Sequence, residues 1–198
     1  MLQGYPKQVA LKNGQQVTLR PMVREDEKDL LQFFQGLPLE DRQFLKDDVT
    51  DPKVIEAWAK NLDYERILPI LAIFENRVIG DATLHRDKFG WSKHVAEIRL
   101  VTDSKFRRKG LGLHLAAEIF SLAQKLNIHK VTAQMIENQQ AAIKVFDSLG
   151  FEREAVLRDH VVDLKGKKHN LIIMSQDIDR LWQRITQSIR DIEIRGIG

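Results

Sequence analysis

The segment 106–112 constrains the fold of this chain more than any other, because it separates a strand pattern from a helix pattern. Before it, apolar and polar side chains alternate within residues 95–102, as they do in a strand. After it, from Leu111 to Leu122, apolar residues recur at intervals of three and four, as on one face of a helix. The sequence therefore predicts a strand, a short turn and a long helix in direct succession.

The turn itself is basic and contains Gly110 and Gly112. A helix that begins here leaves its first backbone N–H groups unpaired and carries a partial positive charge at its start. Glycines let a ligand approach the backbone, and Arg107, Arg108 and Lys109 add formal positive charge. Together these features predict a site for an anion such as a pyrophosphate. The alternative is a basic loop that simply faces solvent.

A second motif lies further along the chain. Residues 138–148 have the pattern of a short helix with Asn138 as its cap, and Leu149-Gly150-Phe151 ends that helix and begins a strand. An R-x-x-G-x-G turn between a strand and a helix, followed by a short helix that closes on Leu-Gly-Phe, resembles the GCN5-related N-acetyltransferase (GNAT) family. The resemblance runs from about Val17 to Ile178.

The resemblance implies an α/β (α+β) fold in a single domain, with a central mixed, mostly antiparallel, splayed sheet flanked by helices. It also implies an acyl donor, acetyl-CoA by default, whose pyrophosphate binds at the turn. The strand ending near Val101 would splay from its neighbour to admit the pantetheine arm. The cofactor-binding residues implied in this way are Leu100, Val101, Thr102, Arg107, Arg108, Lys109, Gly110, Leu111, Gly112, Asn138, Gln139 and Phe146.

Acetyl transfer to an amine needs a route for a proton, because an ammonium with a pKa near ~10.4 is not nucleophilic at neutral pH. By resemblance, Glu97 matches the strand position of the general base in several relatives. If Glu97 points into a partly apolar cleft, desolvation would raise its pKa toward the useful range. The alternative is a half-exposed strand glutamate paired with Arg99 or with a neighbouring strand.

The chain departs from the family pattern at Phe146, where relatives commonly carry a tyrosine that protonates or hydrogen-bonds the leaving sulfur. Phenylalanine has no proton to donate, although a thiolate with a pKa of about 8.5 is a tolerable leaving group. Slow turnover or a non-catalytic role therefore becomes an alternative. His85, His94 and His160 are weaker candidates for catalysis, and their spacing predicts no metal site.

Composition limits the remaining classes of function. With 198 residues the chain can form one good core, so we expect a single domain over 1–198. The absence of cysteine excludes a disulfide framework, a thiolate zinc site and a cysteine nucleophile. The start lacks a signal pattern, and the longest apolar run, Ile67 to Phe74, is too short to span a membrane. We expect a cytoplasmic protein without a membrane partner.

Charge is distributed unevenly along the chain. Residues 24–66 hold 12 acidic and 7 basic residues, a net charge of −5. Residues 105–130 hold 6 basic and 1 acidic residue, a net charge of +5. The overall charge of +3 is mild for a nucleic-acid binder, and we expect no nucleic-acid partner. The acidic half lies near the acceptor entrance in this family and would attract a cationic amine, although acidic helices also serve solubility alone.

Periodicity predicts the remaining elements. Strands are expected at 16–21, 130–136, 154–164 and 171–178, with a hairpin of 68–74 and 78–85 around residues 75–77. Helices are expected at 24–35 and 54–62, and Lys165-Gly166-Lys167 should turn the last hairpin. An extra C-terminal helix over 179–195 presents an apolar stripe of Leu181, Ile185, Ile189 and Ile192.

Three functions of different classes remain open. The first is an acyl-CoA-dependent N-acyltransferase that acetylates a primary amine, on a small molecule or on a protein, by direct attack in a ternary complex. The second is a non-catalytic acetyl-CoA sensor, which Phe146 favours. The third is an interaction module whose terminal helix either packs on its own sheet or joins two copies in a homodimer.

Overall fold

A computed structural model of the protein describes residues 2–180. Its strands are β1 (Lys7–Ala10), β2 (Gln16–Pro21), β3 (Ile67–Phe74), β4 (Arg77–Arg86), β5 (Val95–Thr102), β6 (Lys130–Ile136), β7 (Glu152–Val162) and β8 (Lys168–Asp177). Its α-helices are α1 (Glu27–Gln35), α2 (Leu39–Arg42), α3 (Pro52–Lys60), α4 (Leu111–Lys125) and α5 (Gln140–Ser148). The apolar stripe predicted for the C-terminal helix lies outside the described residues.

The eight strands form one sheet in the order β1-β2-β3-β4-β5-β6-β8-β7. Neighbouring strands run antiparallel throughout, except that β5 and β6 are parallel. Helix α4 forms the crossover between these two parallel strands, as a parallel pair requires. The predicted mixed, mostly antiparallel sheet flanked by helices is therefore confirmed.

Local sequence signals explain where several elements begin and end. Asp51 caps α3 by accepting a hydrogen bond from the Lys53 N–H at 2.9 Å, and Pro52 occupies the first turn of that helix. Glu75 and Asn76 both have positive φ, at 48° and 59°, and connect β3 to β4. The hairpin predicted around residues 75–77 is therefore confirmed.

The sheet carries one apolar core on each face. The larger core joins α4 and α5 to the sheet through residues such as Leu115, Ile119 and Phe146. The smaller core joins α1 and α3 to the sheet through Phe34 and Ile55.

Two elements escaped the sequence prediction. Strand β1 is only four residues long and half exposed, and α2 is a single turn, so neither has a clear periodicity. Strand β7 begins and ends two residues before the strand expected at 154–164. Strand β8 begins three residues, and ends one residue, before the strand expected at 171–178. Among the described residues, no helix is long and apolar enough to cross a membrane.

Candidate active site

Strands β5 and β6 separate part of the way along their length. Residues 95–98 of β5 pair with residues 130–133 of β6. Beyond this point β5 continues to Thr102 and β6 to Ile136, but the two strands no longer pair with each other. The expected splay is confirmed, and Leu100, Val101 and Thr102 lie on its β5 side.

The first turn of α4 follows this opening. Gly110 is the N-cap of the helix with φ 91°, a left-handed conformation that favours glycine, and no side chain caps the helix in the described structure. A Cβ added at Gly112 would have only Leu100 Cδ2 within 4 Å, at 3.6 Å. The fold itself therefore does not require glycine at 112, and the space beside it suits a ligand that touches the backbone.

The basic residues of the turn have different partners. Arg107 forms a salt bridge with Asp41 of α2, and the ammonium of Lys109 lies 4.8 Å from the centre of the Phe106 ring. Arg108 is exposed and has a positive φ of 61°. An uncapped helix start, an open position at Gly112 and three cations fit a pyrophosphate. One of these cations, Arg107, is already paired with the carboxylate of Asp41. The sequence did not indicate this ion pair.

The second motif lies in the loop between β6 and α5. Gln139, not Asn138, is the N-cap residue of α5, and its side chain makes no capping hydrogen bond. Its Oε1 instead accepts a hydrogen bond from the Ile136 N–H at 3.0 Å. Asn138 Nδ2 lies 3.4 Å from Nδ1 of His169. The prediction that Asn138 caps the helix is therefore wrong, because its side chain turns toward β8.

Phe146 lies in the larger core with only 6% of its surface exposed. Its ring packs edge-on against Phe151 at 4.8 Å between ring centres. This packing explains why an aromatic residue without a hydroxyl is accommodated here. The expected contact between Phe146 and the cofactor stays a prediction.

Glu97 lies on β5 close to the point where the strands separate. Its carboxylate accepts hydrogen bonds from Lys46 Nζ at 2.8 Å, Arg99 Nε at 2.8 Å and Gln134 Nε2 at 3.3 Å. Burial opposes ionisation of Glu97, but the hydrogen bonds from Lys46 and Arg99 outweigh it and hold the pKa below its usual range. The expected rise in the pKa of Glu97 is therefore wrong, because Lys46 and Arg99 both form ion pairs with its carboxylate.

His85 lies opposite Glu97 in the β4–β5 ladder. Burial lowers the pKa of its imidazole to about 4, and the nearby cations Arg99 and Lys46 add to that effect. His85 is therefore neutral at pH 7 and can accept a proton or a hydrogen bond. From the sequence alone, His85 is only a weaker candidate for catalysis, and the strand register places it opposite Glu97.

His85 and Glu97 both line a cavity of about 670 Å³ at the end of β4. The loop that follows α3 closes one side of this cavity with Asp63 and Arg66. Carboxylates and guanidinium groups both line it, so it is not simply acidic. The lining residues are Asn61, Asp63, Arg66, Ile67, His85, Arg86, Asp87, Ser92, Val95, Ala96, Glu97 and Thr132.

A second carboxylate, Asp81, lies on β4 with 8% of its surface exposed. Its Oδ1 is buried without a hydrogen-bond partner, and its Oδ2 accepts a hydrogen bond of 3.3 Å from Thr83. Burial raises the pKa of Asp81 to about 7, although the hydrogen bond from Thr83 opposes this rise. No sequence pattern singled out this residue.

The splayed parallel pair, the uncapped helix start beside it and the short helix that follows β6 occur together in this fold. The model of the acetyltransferase (GNAT) family matches residues 30–151. This chain belongs to the GNAT family. The match covers the strand-to-helix turn and ends at Phe151, so it contains both motifs on which the resemblance rests.

Two named acetyltransferases match parts of the chain. L-amino acid N-acetyltransferase AaaT of Escherichia coli is 25% identical over 116 residues, which is 58% of this chain and 66% of AaaT. YwnH of Bacillus subtilis, which carries a provisional assignment as a phosphinothricin acetyltransferase, is 28% identical over 83 residues, 42% of this chain and 50% of YwnH. The chain therefore spans less than two thirds of the length of these relatives.

Solved structures share the fold at low sequence identity. The GNAT domain of PAT from S. lividans has a TM-score of 0.74 at 17% identity, covering 86% of this chain and 96% of that one. YncA from Salmonella typhimurium, solved with its cofactor acetyl-CoA, has a TM-score of 0.72 at 20% identity, covering 82% of this chain and 94% of YncA. These similarities establish the fold.

Proposed function

We propose that this protein is an acetyl-CoA-dependent N-acetyltransferase that acetylates a primary amine. The observation that carries the proposal is the splay between β5 and β6 with the uncapped start of α4 beside it. Family membership supports it, as do the names of the two curated relatives and the acetyl-CoA in YncA.

The cofactor half of the site uses backbone and charge. The first N–H groups of α4, together with Arg107, Arg108 and Lys109, would bind the pyrophosphate. Residues 100–102 would border the acyl arm, and Asn138 and Gln139 would contact the pantetheine. When bound, acetyl-CoA supplies the acetyl group as a thioester, which an amine can attack directly.

The acceptor half uses Glu97 as the proton acceptor. Glu97 is ionised at neutral pH because Lys46 and Arg99 stabilise the carboxylate. It would accept a proton from the acceptor ammonium, directly or through water, so that the amine is neutral when the C–N bond forms and the C–S bond breaks. The neutral imidazole of His85 is a second acceptor for this proton. The nitrogen would lose its remaining proton as the amide forms, and water would carry that proton to the departing sulfur.

A non-catalytic acetyl-CoA sensor is the alternative. Two observations favour the sensor. Phe146 has no hydroxyl, and the ionised carboxylate of Glu97 is already paired with the ammonium of Lys46. A homodimer through the C-terminal helix stays a prediction, because the apolar stripe of that helix lies outside the described residues.

The first experiment compares the unfolding midpoint with and without acetyl-CoA, with desulfo-CoA and ATP as controls. Ligand at a hundredfold excess over its Kd should stabilise the protein by about 2.7 kcal/mol. Release of CoA thiol in the presence of a panel of amines then tests transfer, without background from the protein because it contains no cysteine. Binding without transfer to any amine would favour the sensor, and no binding would refute both functions.

A further inference from the structure

Residues 41–46, which lie in and after α2, contact elements on both sides of the opening between β5 and β6. Asp41 pairs with Arg107 in the turn that leads from β5 to α4. The ring of Phe44 packs edge-on against the ring of His169 on β8, with 5.6 Å between their centres. Strand β8 is the neighbour of β6 on the side away from β5. The segment therefore reaches across the opening.

Lys46 lies at the end of this segment and pairs with the proposed general base. Its Nζ donates hydrogen bonds to both carboxylate oxygens of Glu97, at 2.8 and 2.9 Å. Glu97 alternates along β5 with Ile98 and Leu100, which pack in the core on the α4 side, so its carboxylate lies on the opposite face. Within residues 2–180, no other primary amine forms an ion pair with Glu97. Lys46 thus holds the position in which the proposed function needs the acceptor ammonium.

The carboxylate of Glu97 does not depend on Lys46 for its hydrogen bonds. Arg99 Nε donates to it at 2.8 Å and Gln134 Nε2 at 3.3 Å. The side chain of Lys46 is 44% exposed, and an ion pair this open to water contributes little to stability. Lys46 also has a flexible four-carbon stem, so its nitrogen can shift toward an acyl group without movement of the backbone. Stability alone therefore does not explain this contact.

We propose that Lys46 is a self-acetylation site, at which the protein transfers an acetyl group to its own Nζ when no other amine competes. The proposal rests on the proposed acetyltransferase function and identifies a modification site at the same centre. Lys46 Nζ gives one proton to Glu97 and forms a C–N bond with the thioester carbonyl carbon, and the C–S bond breaks. A second proton leaves the nitrogen as the amide forms, and water carries it to the sulfur. Glu97 then releases its proton to solvent, which leaves neutral N-acetyl-lysine and CoA thiol.

The test incubates the full chain with acetyl-CoA and no amine, and maps the acetylated lysines by mass spectrometry of peptides. Lys46 should be acetylated at least about tenfold faster than Lys60, because a neighbouring base and a fixed position promote the reaction. Lys60 is the matched control, since it pairs with Glu56 and is more exposed, at 61%. The rate constant should not change when the protein is diluted, because the base and the nucleophile belong to one chain.

Three variants test the roles of the contacts. Glu97→Gln should slow acetylation of Lys46 by about 100-fold and leave that of Lys60 unchanged. Phe44→Ala should slow it by about tenfold, because the segment loses its contact with β8 and Lys46 is held less firmly. This second variant tests the proposal should E97Q not fold. Lys46→Arg keeps a positive charge beside Glu97 but offers no primary amine, so it should release no CoA thiol until an amine is added.

A second readout needs no acetyl-CoA during the measurement. After the ligands have been removed, carbon-13 NMR should give a higher pKa for the Glu97 carboxylate in the acetylated protein than in the unmodified protein. The reason is that N-acetyl-lysine is neutral and no longer forms an ion pair with the carboxylate. Equal values would mean that Lys46 does not pair with Glu97 in solution, and they would overturn the proposal.

The outcomes separate self-acetylation from the proposed function. Transfer to free amines without modification of Lys46 would overturn self-acetylation and leave the acetyltransferase function intact. Modification of Lys46 that E97Q abolishes, without transfer to any added amine, would support self-acetylation and refute transfer to a separate acceptor. Equal rates at Lys46 and Lys60 that E97Q leaves unchanged would indicate uncatalysed acetylation and overturn the proposal.

Discussion

Lys46 Nζ lies 2.8 Å from Oε1 and 2.9 Å from Oε2 of Glu97, a residue 51 positions away in the chain. Lys46 follows α2, whereas Glu97 lies in the middle of the sheet. This contact keeps the carboxylate ionised and lowers its pKa. In the proposed mechanism, an acceptor ammonium would compete with Lys46 for the same carboxylate oxygens.

Lys46→Met should raise the pKa of Glu97, because the hydrogen bonds and the positive charge of Lys46 are lost. A general base works only when deprotonated, so activity falls as the pH falls through its pKa. The acid limb of the profile of kcat/KM against pH should therefore move to higher pH. Lys60→Met removes a lysine that pairs with Glu56 on the surface, and it should not move that limb. An unchanged limb in K46M would mean that Glu97 is not the base.

Glu97→Gln should reduce kcat by about 100-fold or more, the usual contribution of a positioned general base. The Kd for acetyl-CoA should stay nearly the same, because the phosphate turn lies elsewhere. Steady-state rates measure kcat, and calorimetric titration measures the Kd for acetyl-CoA. Glu56→Gln is the surface control. If His85→Asn instead causes the large loss and E97Q does not, the imidazole accepts the proton.

Asp41→Asn should tighten acetyl-CoA binding by about threefold to tenfold, because Arg107 is then free to pair with a phosphate. Glu40→Gln removes the same charge from the same helix, but Glu40 is exposed and forms no ion pair within the described residues. A gain of equal size in both variants would reflect only the general charge of α2. Titration at low and high salt should show the specific gain in D41N alone.

Phe146→Tyr should increase kcat by about tenfold if the missing hydroxyl limits the rate, since a positioned acid can protonate the leaving sulfur. The added hydroxyl enters a packed core and should lower the unfolding midpoint by a few degrees. Phe120→Tyr adds a hydroxyl to the same aromatic cluster and should lower stability without raising kcat. An unchanged kcat in F146Y would show that protonation of the sulfur is not limiting.

Asp81→Asn should stabilise the protein more at pH 8 than at pH 5. Burial raises the pKa of Asp81 to about 7 in the folded state, so the contribution of its protonated form to stability is fully present below the unfolded pKa and is lost progressively as the pH rises from there to about 7. Asparagine stays neutral, so the unfolding midpoint at pH 8 should rise by about 5 °C. Exposed Asp87→Asn is the control. An equal rise of the unfolding midpoint at pH 5 and at pH 8 would contradict the raised pKa of Asp81.

Most of the fold could be predicted from the sequence, because long elements have a periodicity that reflects local geometry. The expected strands at 95–102 and 130–136 match β5 and β6 residue for residue. The single turn of α2 and the four residues of β1 are too short for a period, and tertiary contacts stabilise them. The expected cap at Asn138 failed because Gln139 occupies that position in the loop.

The sequence alone predicted the proposed cofactor half of the site, because glycines, cations and a helix start lie within one short segment, 106–112. Only the tertiary structure revealed the contacts of the proposed acceptor half. Lys46 meets Glu97, and Asp81 is buried with an unpaired oxygen, although no local pattern indicates either feature. Charge pairing and burial depend on distances between distant parts of the chain, and these distances exist only once the sheet and its helices have packed.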